Sequence, residues 1–334
     1  MASNGYAIGP SQESPSTEPG KGYFMENGRM YGGWHRGQCL FPIDEVATSE
    51  ERGQHIARQS ELTGKFPKPE LDRLDAMHKF VLVARSYNLY SPHISLGEIK
   101  NLRVLDLGCG TGMWALDMAK RFFNSGGSLI HGVDLSTLMQ ASEIYPNNKF
   151  EAMDIEEPWH SKISEGSYHL IHARMLAGSI HIDSWPRVYH EAFRALVPGS
   201  GWIEHVEVDW NPCNDEGPVS PHLRFWADTL LDAMDQIKRP LRLDPQATQQ
   251  ALANAGFIEI KQEVIRVFVN GGAKNPYDID VGRWFNLCLH KSFMNISLAP
   301  LFRVKKWKPE QIEALREDVL DEIGERTNRS YCKL

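Results

Sequence analysis

The residues with the most chemistry in this chain sit in one stretch, Asn101-Leu-Arg-Val-Leu-Asp106-Leu-Gly108-Cys109-Gly110-Thr-Gly112-Met113-Trp114. Three glycines at alternate positions permit backbone torsions closed to other residues and let a ligand approach the main chain. Spacing narrows the ligand. A dinucleotide fingerprint, G-x-G-x-x-G, needs its third glycine one place later, where Met113 stands. A phosphate loop needs Lys followed by Ser or Thr after the last glycine, and that pair is absent. Asp106 instead places a carboxylate at the mouth of the turn. That charge suits a cationic ligand and opposes a pyrophosphate.

The flanking elements have to aim this turn. Leu102, Val104, Leu105 and Leu107 form a short apolar run of the kind that makes a buried parallel strand, and Trp114 to Ala119 reads as a helix. After it, strand and helix patterns alternate, which predicts an α/β fold with a mostly parallel sheet and helices on both faces. The second strand, Ser128 to Asp134, and the third, Lys149 to Asp154, also end in acids. Asp134, followed by Leu135, can accept from both ribose hydroxyls of a nucleoside; Asp154, followed by Ile155, can accept from an adenine amino group. A lone Asp at a strand end is also a common helix cap. The fourth strand is Tyr168 to His172 and the fifth Trp202 to Asp209. Ligands of open α/β sheets lie at the carboxyl ends of strands, so the acceptor is expected near Arg174, Glu207 and Asp209. Alternation along the fifth strand puts His205, Glu207 and Asp209 on one face and Glu204 on the other. If the reaction needs a general base, His172, His205 and Glu207 are the candidates.

Upstream, Leu71, Leu74, Met77, His78, Val81 and Leu82 repeat at helical spacing, so a helix starting at Glu70 should pack beside the glycine turn. Asp72, Arg73 and Asp75 fall on its opposite side and read as a solvated face. Downstream come a helix over Pro221–Arg239 and a second over Asp244–Ala255 stopped by Gly256. A long strand over Phe257–Val269 follows, broken by Gly271-Gly272. Residues 281–323 read as helical, with Trp284, Phe285, Leu287 and Cys288 as a packing stripe, and Arg303 to Lys308 as an exposed basic cluster.

Composition bounds the class. Of the 334 residues, 42% are hydrophobic and 24% charged, as in soluble globular domains. A net charge of -7 argues against a general nucleic-acid binder, which needs a basic face. The five cysteines, at 39, 109, 213, 288 and 332, show no metal-ligand spacing and read as reduced thiols. No apolar run approaches a membrane span, so a soluble intracellular chain with no metal is expected. Residues 1–22 should be a disordered tail, and residues 46–69 an exposed loop. The aromatic segment from Tyr23 to Pro42 is either a lid using Tyr31 or Trp34 as its cover, or an arm anchored on the core. The expected units are an arm, loop and covering helix over 23–100, a ligand-binding core over 101–270 and a helical extension over 271–334.

The run Asp106-x-Gly108-x-Gly110-x-Gly112 resembles motif I of class I S-adenosylmethionine-dependent methyltransferases. Further runs resemble fungal LaeA-type methyltransferases: Glu26-Asn-Gly-Arg29, Phe41-Pro-x-Asp-Glu45, Asp72-Arg-Leu-Asp75 with His78, Pro158-Trp159, Gly201-Trp-x-Glu204-x-Val-Glu207, Arg283-Trp-x-Asn286-Leu and Ser297-Leu-Ala-Pro300. That resemblance implies a class I (Rossmann-like) methyltransferase fold. It implies S-adenosylmethionine held by Asp106, Gly108, Cys109, Gly110, Gly112, Asp134, Leu135, Asp154 and Ile155. It also implies a nuclear regulator of metabolite gene clusters with velvet-domain partners. Two departures stand out: residues 46–69 look like an insertion, and Tyr331-Cys-Lys-Leu334 falls where the family's closing antiparallel strand begins, which would expose a sheet edge. No Asn-Pro-Pro-Tyr-type run marks an amino-adenine methylase, and no Pro-Cys pair marks a cytosine enzyme. Three classes stay open: regulatory methyltransferase, biosynthetic O- or N-methyltransferase, and cofactor-binding scaffold.

Overall fold

The computed structural model describes residues 23–27, 29–32, 40–42, 68–137, 139–140, 145–242 and 244–334. The expected N-terminal tail, Trp34 and the part of the expected loop up to residue 67 lie outside the described residues. The central sheet has five parallel strands: β3 (Arg103–Leu107), β4 (Leu129–Asp134), β5 (Asn148–Ala152), β6 (Leu170–Arg174) and β7 (Trp202–Val206). Their spatial order is β5-β4-β3-β6-β7. From β3 the chain winds outward through β4 and β5, then returns to lay β6 on the other side of β3. This reversal opens a crevice at the carboxyl ends of β3 and β6, the usual ligand position in such sheets.

Helices cover both faces. Between β3 and β4, α2 (Met113–Arg121) buries Trp114, Ala115, Met118 and Ala119. Between β6 and β7, α3 (Trp185–Ala195) buries Trp185, Val188, Tyr189 and Ala192. On the same side as α3 lies α5 (Pro245–Ala255), started by Asp244, whose carboxylate accepts from Ala247 N, and ended by Gly256 at φ 111°. A second apolar core joins α1 (Lys68–Ala84), α4 (Pro221–Gln236), α6 (Pro276–Arg303) and α7 (Pro309–Gly324) around Phe80, Trp226, Phe285 and Phe293. Among the described residues no helix is long and apolar enough to cross a membrane.

The arm is a hairpin, β1 (Tyr23–Glu26) with β2 (Arg29–Gly32). Tyr31 is fully buried in the helical core, under the Arg303 guanidinium 4.7 Å from its ring centroid. It is therefore an anchor rather than a lid. In the basic cluster Lys306 and Lys308 are exposed as expected, while Arg303 pairs with Glu26 at 2.7 Å and Lys305 pairs with Asp232.

Two expected strands differ from the structure. The fifth strand stops at Val206, because Glu207 turns its carboxylate onto the backbone of the loop after β6. Residues 209 onward start β8 (Asp209–Cys213) in another sheet. The long strand over 257–269 is only β9 (Arg266–Phe268), since a strand needs a neighbour and its upstream half has none among the described residues. β9 pairs with β10 (Tyr331–Lys333), which pairs in turn with β8.

The helical extension seats on this small sheet through Gly282, whose added Cβ would collide with the Asn270 carbonyl. Overpacking against backbone costs about 1–3 kcal/mol or more. Gly282→Ala should lower the thermal midpoint by several degrees. Gly97→Ala, with nothing within 4 Å, should leave it unchanged, and equal midpoints by calorimetry would contradict this packing.

Candidate active site

The glycine turn follows from where β3 must hand over to α2. Gly108, Gly110 and Gly112 have φ of 60°, 56° and 79°, the left-handed region that side-chain-bearing residues rarely enter. Two of them also lack room: a Cβ at Gly108 would strike Leu176, and one at Gly112 the Phe150 ring. At Gly110 the nearest atom would be Leu74 Cδ1 at 3.8 Å, an ordinary contact, so a Cβ has room there. Hydrogen bonds pin the turn from below, Cys109 N to the Val133 carbonyl at 3.0 Å and Gly112 N to the Cys109 carbonyl at 2.8 Å.

Under the turn lies a buried polar layer. Asp106, 3% exposed, pairs through Oδ1 with His172 Nδ1 at 2.9 Å. The His172 ring stacks flat on Trp114, with centroids 3.7 Å apart and planes 4° from parallel. Its Nε2 has no hydrogen-bond partner and lies 3.9 Å from Glu204 Oε2. Glu204 takes a two-pronged bond from Arg85 at 2.6 and 3.0 Å and another from Ser91 N at 2.6 Å. Arg174 Nη2 meets His78 Nδ1 at 3.1 Å, and His78 Nε2 meets Asp117 Oδ2 at 3.0 Å. Burial pushes the Asp106 carboxyl up to about 7, against the pull of Arg174 and His78 toward ionisation. Burial, then the Arg174 charge, holds His172 well below its ordinary value and therefore neutral.

The second acid closes on the turn. Asp134 Oδ2 accepts from Gly110 N at 2.8 Å and Oδ1 from Ser136 N at 3.4 Å, and burial raises the carboxyl's pKa against these backbone hydrogen bonds. Gln140 clamps the same loop by donating to the Gly110 carbonyl at 2.7 Å. Leu135 beside Asp134 is 43% exposed. Asp154 is half-buried and caps Glu156 N at 2.8 Å. Ile155 is buried, and its carbonyl accepts from Trp159 Nε1 at 3.0 Å. Burial pushes the Cys109 thiol up, so it is no nucleophile.

Each of the three candidate bases is tied into the fold, Glu207 through Oε1. His172 is 1% exposed and lies beneath the turn, out of an acceptor's reach. His205 is bonded on both nitrogens, to Tyr189 Oη at 3.1 Å and Glu207 Oε1 at 2.9 Å. That Glu207 oxygen also accepts from Leu176 N at 2.7 Å and Ala177 N at 3.0 Å, and so holds the loop after β6 against the glycine turn. This loop carries Met175 at φ 56°, a strained torsion for a residue with a side chain. Asp209 does not join them. It sits in β8 and accepts from Asn211 N at 3.1 Å.

Sequence reasoning missed how α1 grips the turn. Asp75, expected in solvent, accepts from Thr111 Oγ1 at 3.0 Å, and burial raises its pKa. The only signal available was its position one helical turn before His78. Arg85, Asp117 and Gln140 carried no signal, because Glu204, His78 and Gly110, the partners they meet at the site, lie at least 30 residues away.

The raised carboxyl makes a pH prediction. Below about 7 Asp106 holds its proton and offers a cation no charge. Affinity for S-adenosylmethionine should rise as pH climbs through about 7, and fall by up to about tenfold per pH unit below it. Stability carries the opposite sign: between 3.8 and about 7 the native state binds the extra proton, so this group's contribution declines as pH rises. Asp106→Asn should flatten both profiles in calorimetric titrations; a wild-type affinity independent of pH would contradict the assignment.

A family model described as a methyltransferase domain matches residues 74–260, more than half of the chain. The chain is 36% identical over 335 residues to the secondary metabolism regulator LAE1 of Cochliobolus heterostrophus, covering 99% of this chain and 96% of that protein. It is 34% identical over 312 residues to the protein-methionine methyltransferase laeA of Emericella nidulans, covering 92% of this chain and 74% of that one. Among solved structures, a geranyl diphosphate C-methyltransferase from Streptomyces coelicolor with bound S-adenosyl-L-homocysteine is similar at 13% identity and a TM-score of 0.38, over 71% of this chain and 73% of that one. Identity of this extent, over a parallel sheet with an Asp-x-Gly-x-Gly-x-Gly turn at its switch point, places the chain in the LaeA family of secondary metabolism regulators, S-adenosylmethionine-dependent methyltransferases of the class I fold.

Proposed function

We propose that this protein is a nuclear regulator of secondary metabolite gene clusters and development. In this reading it works beside velvet-domain proteins and methylates a methionine thioether on a protein. The observation that carries the acceptor is the state of the three candidate bases: each is committed to the fold. Bound S-adenosylmethionine supplies a methyl group on a sulfonium. An amine or hydroxyl acceptor must shed a proton on attack, whereas a thioether has none to lose and simply takes over the positive charge. A site whose candidate bases are tied into the fold in this way suits sulfur. The Emericella nidulans relative bears the name of that activity.

The residues present fit the cofactor. When ionised, Asp106 and Asp134 offer negative charge, and Asp134 stands at the turn against Gly110 N. Gly110 presents bare backbone beside Leu74, with no other atom within 4 Å of where a Cβ would stand. In this reading Gly108, Cys109, Gly110 and Gly112 would cradle the amino-acid end, Asp134 and Leu135 the ribose, and Asp154 with Ile155 the adenine. Positioning by such groups supplies most of the rate of an in-line displacement. Regulatory rather than biosynthetic work is supported by the family and by the arm. Glu26 and Arg29, both in a family-like run, tie the hairpin to Arg303 and Asn295 on α6.

Complementation of a deletion strain tests this directly. Gly110→Ala adds a methyl group at φ 56° without touching Leu74 closely, a strain of about 1 kcal/mol. The variant should fold and still co-precipitate with velvet-domain proteins. It should bind S-adenosylmethionine at least about tenfold more weakly, a loss of ~1.4 kcal/mol, and fail to restore metabolite gene expression. The wild type, supplied with methyl-labelled cofactor, should place label on methionine sulfur in nuclear protein. Full rescue by a variant shown not to bind cofactor, or label on oxygen or nitrogen only, would overturn the reading.

A further inference from the structure

We infer that Arg174 takes the α-carboxylate of S-adenosylmethionine and so sets the site's demand for an intact amino-acid tail, an assignment that rests on the cofactor reading above. Arg174 is the last residue of β6, at the carboxyl end of the strand beside β3. Alternation puts its side chain on the same face as that of His172. His172 turns to α2 through Trp114, and Arg174 turns the same way, to His78 of α1. His205 is aligned with Ala173 and so lies on the other face. Arg174 was expected beside the acceptor, and the structure sets it on the α1 side of the glycine turn.

Most of its N–H groups meet no acceptor. Nη2 donates to His78 Nδ1 at 3.1 Å, which leaves His78 Nε2 to donate to Asp117 at 3.0 Å. Among the described residues Nε and Nη1 find no acceptor, and neither is sealed off from solvent. Whichever hydrogen Nη2 gives to His78, the other still forms a two-pronged edge with Nε–H or Nη1–H. That edge is the geometry that matches a carboxylate. No carboxylate of the described residues pairs with it. The acids that act on it from further off are each engaged elsewhere, Asp106 with His172, Glu204 with Arg85 and Asp117 with His78. Burial lowers the guanidinium's pKa to about 10, so it stays charged at neutral pH.

Position selects the end of the ligand that meets this edge. The sheet order is β5-β4-β3-β6, with Asp154 just after β5, Asp134 ending β4 and Arg174 ending β6. A nucleoside held by Asp134 and Asp154 sends its amino-acid tail across the turn after β3, toward β6. One face of α1 reaches both places. Leu74 lies beside Gly110, Asp75 accepts from Thr111, and His78, one helical turn on, holds Arg174. Side chains one turn apart on a helix are neighbours, about 5–6 Å from each other, so the guanidinium stands close beside the turn. The tail of S-adenosylmethionine carries a carboxylate, an ammonium and a sulfonium. Arg174 repels the two cations, and only the carboxylate suits its fork.

Calorimetric titration of the full chain at about pH 8, above the Asp106 value of about 7, tests this. The probes are S-adenosylmethionine and its decarboxylated form, which keeps the sulfonium and ammonium and lacks only the carboxylate. The wild type should bind the intact probe at least about tenfold more tightly, the scale of a two-pronged charged hydrogen bond. In Arg174→Met that preference should shrink to within about twofold, with affinity for the decarboxylated probe kept or raised because a repelling cation is gone. Arg174→Lys, which keeps the charge without the fork, should fall between the two. A wild type with no preference, or an Arg174→Met variant that keeps the full preference, would overturn the assignment. Equal loss of both probes in Arg174→Met would overturn it as well, since that is the mark of a structural support. A wild type that bound neither probe would overturn the cofactor reading, and the assignment with it.

Discussion

Everything near the glycine turn depends on one acid in an awkward place. Asp106 lies one residue before the end of the central strand of the sheet, where both faces are covered, and its carboxyl is shifted to about 7 by burial. A buried carboxylate survives only with partners, and each partner here requires another. His172 supplies a ring nitrogen and is held by stacking on Trp114 of α2. Arg174 supplies charge and is tied to His78 of α1, which leans on Asp117 of α2. Glu204 of β7 faces His172 and is matched by Arg85 beyond the end of α1. Helices that look independent in the chain thus share one polar layer beneath the turn.

That layer explains why α1, which precedes the first strand of the sheet, belongs to the site. Thr111 of the turn donates to Asp75 and Gly110 faces Leu74, so α1 forms one wall of the opening. The opposite wall is the loop after β6, held by Glu207 through Leu176 N and Ala177 N. Several family-like runs have structural duties of the same kind. Asn286 donates to the Val269 carbonyl at 2.8 Å, and Ser297 Oγ accepts from Trp226 Nε1 at 2.9 Å.

Local pattern revealed the turn, its acids and the strand–helix alternation, because these are encoded in spacing over a few residues. Depth was not legible. His172 has the residue type of a base, and only the sheet order, which puts β6 beside β3, makes it a support. Alternation across 202–209 was real as far as Val206, but a carboxylate bonding to another loop ended the strand. The apolar alternation of 257–265 was equally real, yet a strand exists only with a neighbour, and sequence does not state whether one is present. Asp75 shows the same limit on a helix: its face was predicted, and what lies against that face was not.

The central claim is that Asp106 and His172 act as one unit in presenting the turn to the cofactor. The most direct measurement is a double-substitution cycle on the S-adenosylmethionine dissociation constant, using Asp106→Asn and His172→Phe, the latter keeping a ring against Trp114. If the pair is a unit, His172→Phe weakens binding although it is buried beneath the turn. The double variant then binds no more weakly than Asp106→Asn, with a coupling of about 1–3 kcal/mol. Strictly additive losses, or a His172→Phe variant with unchanged affinity, would contradict the account.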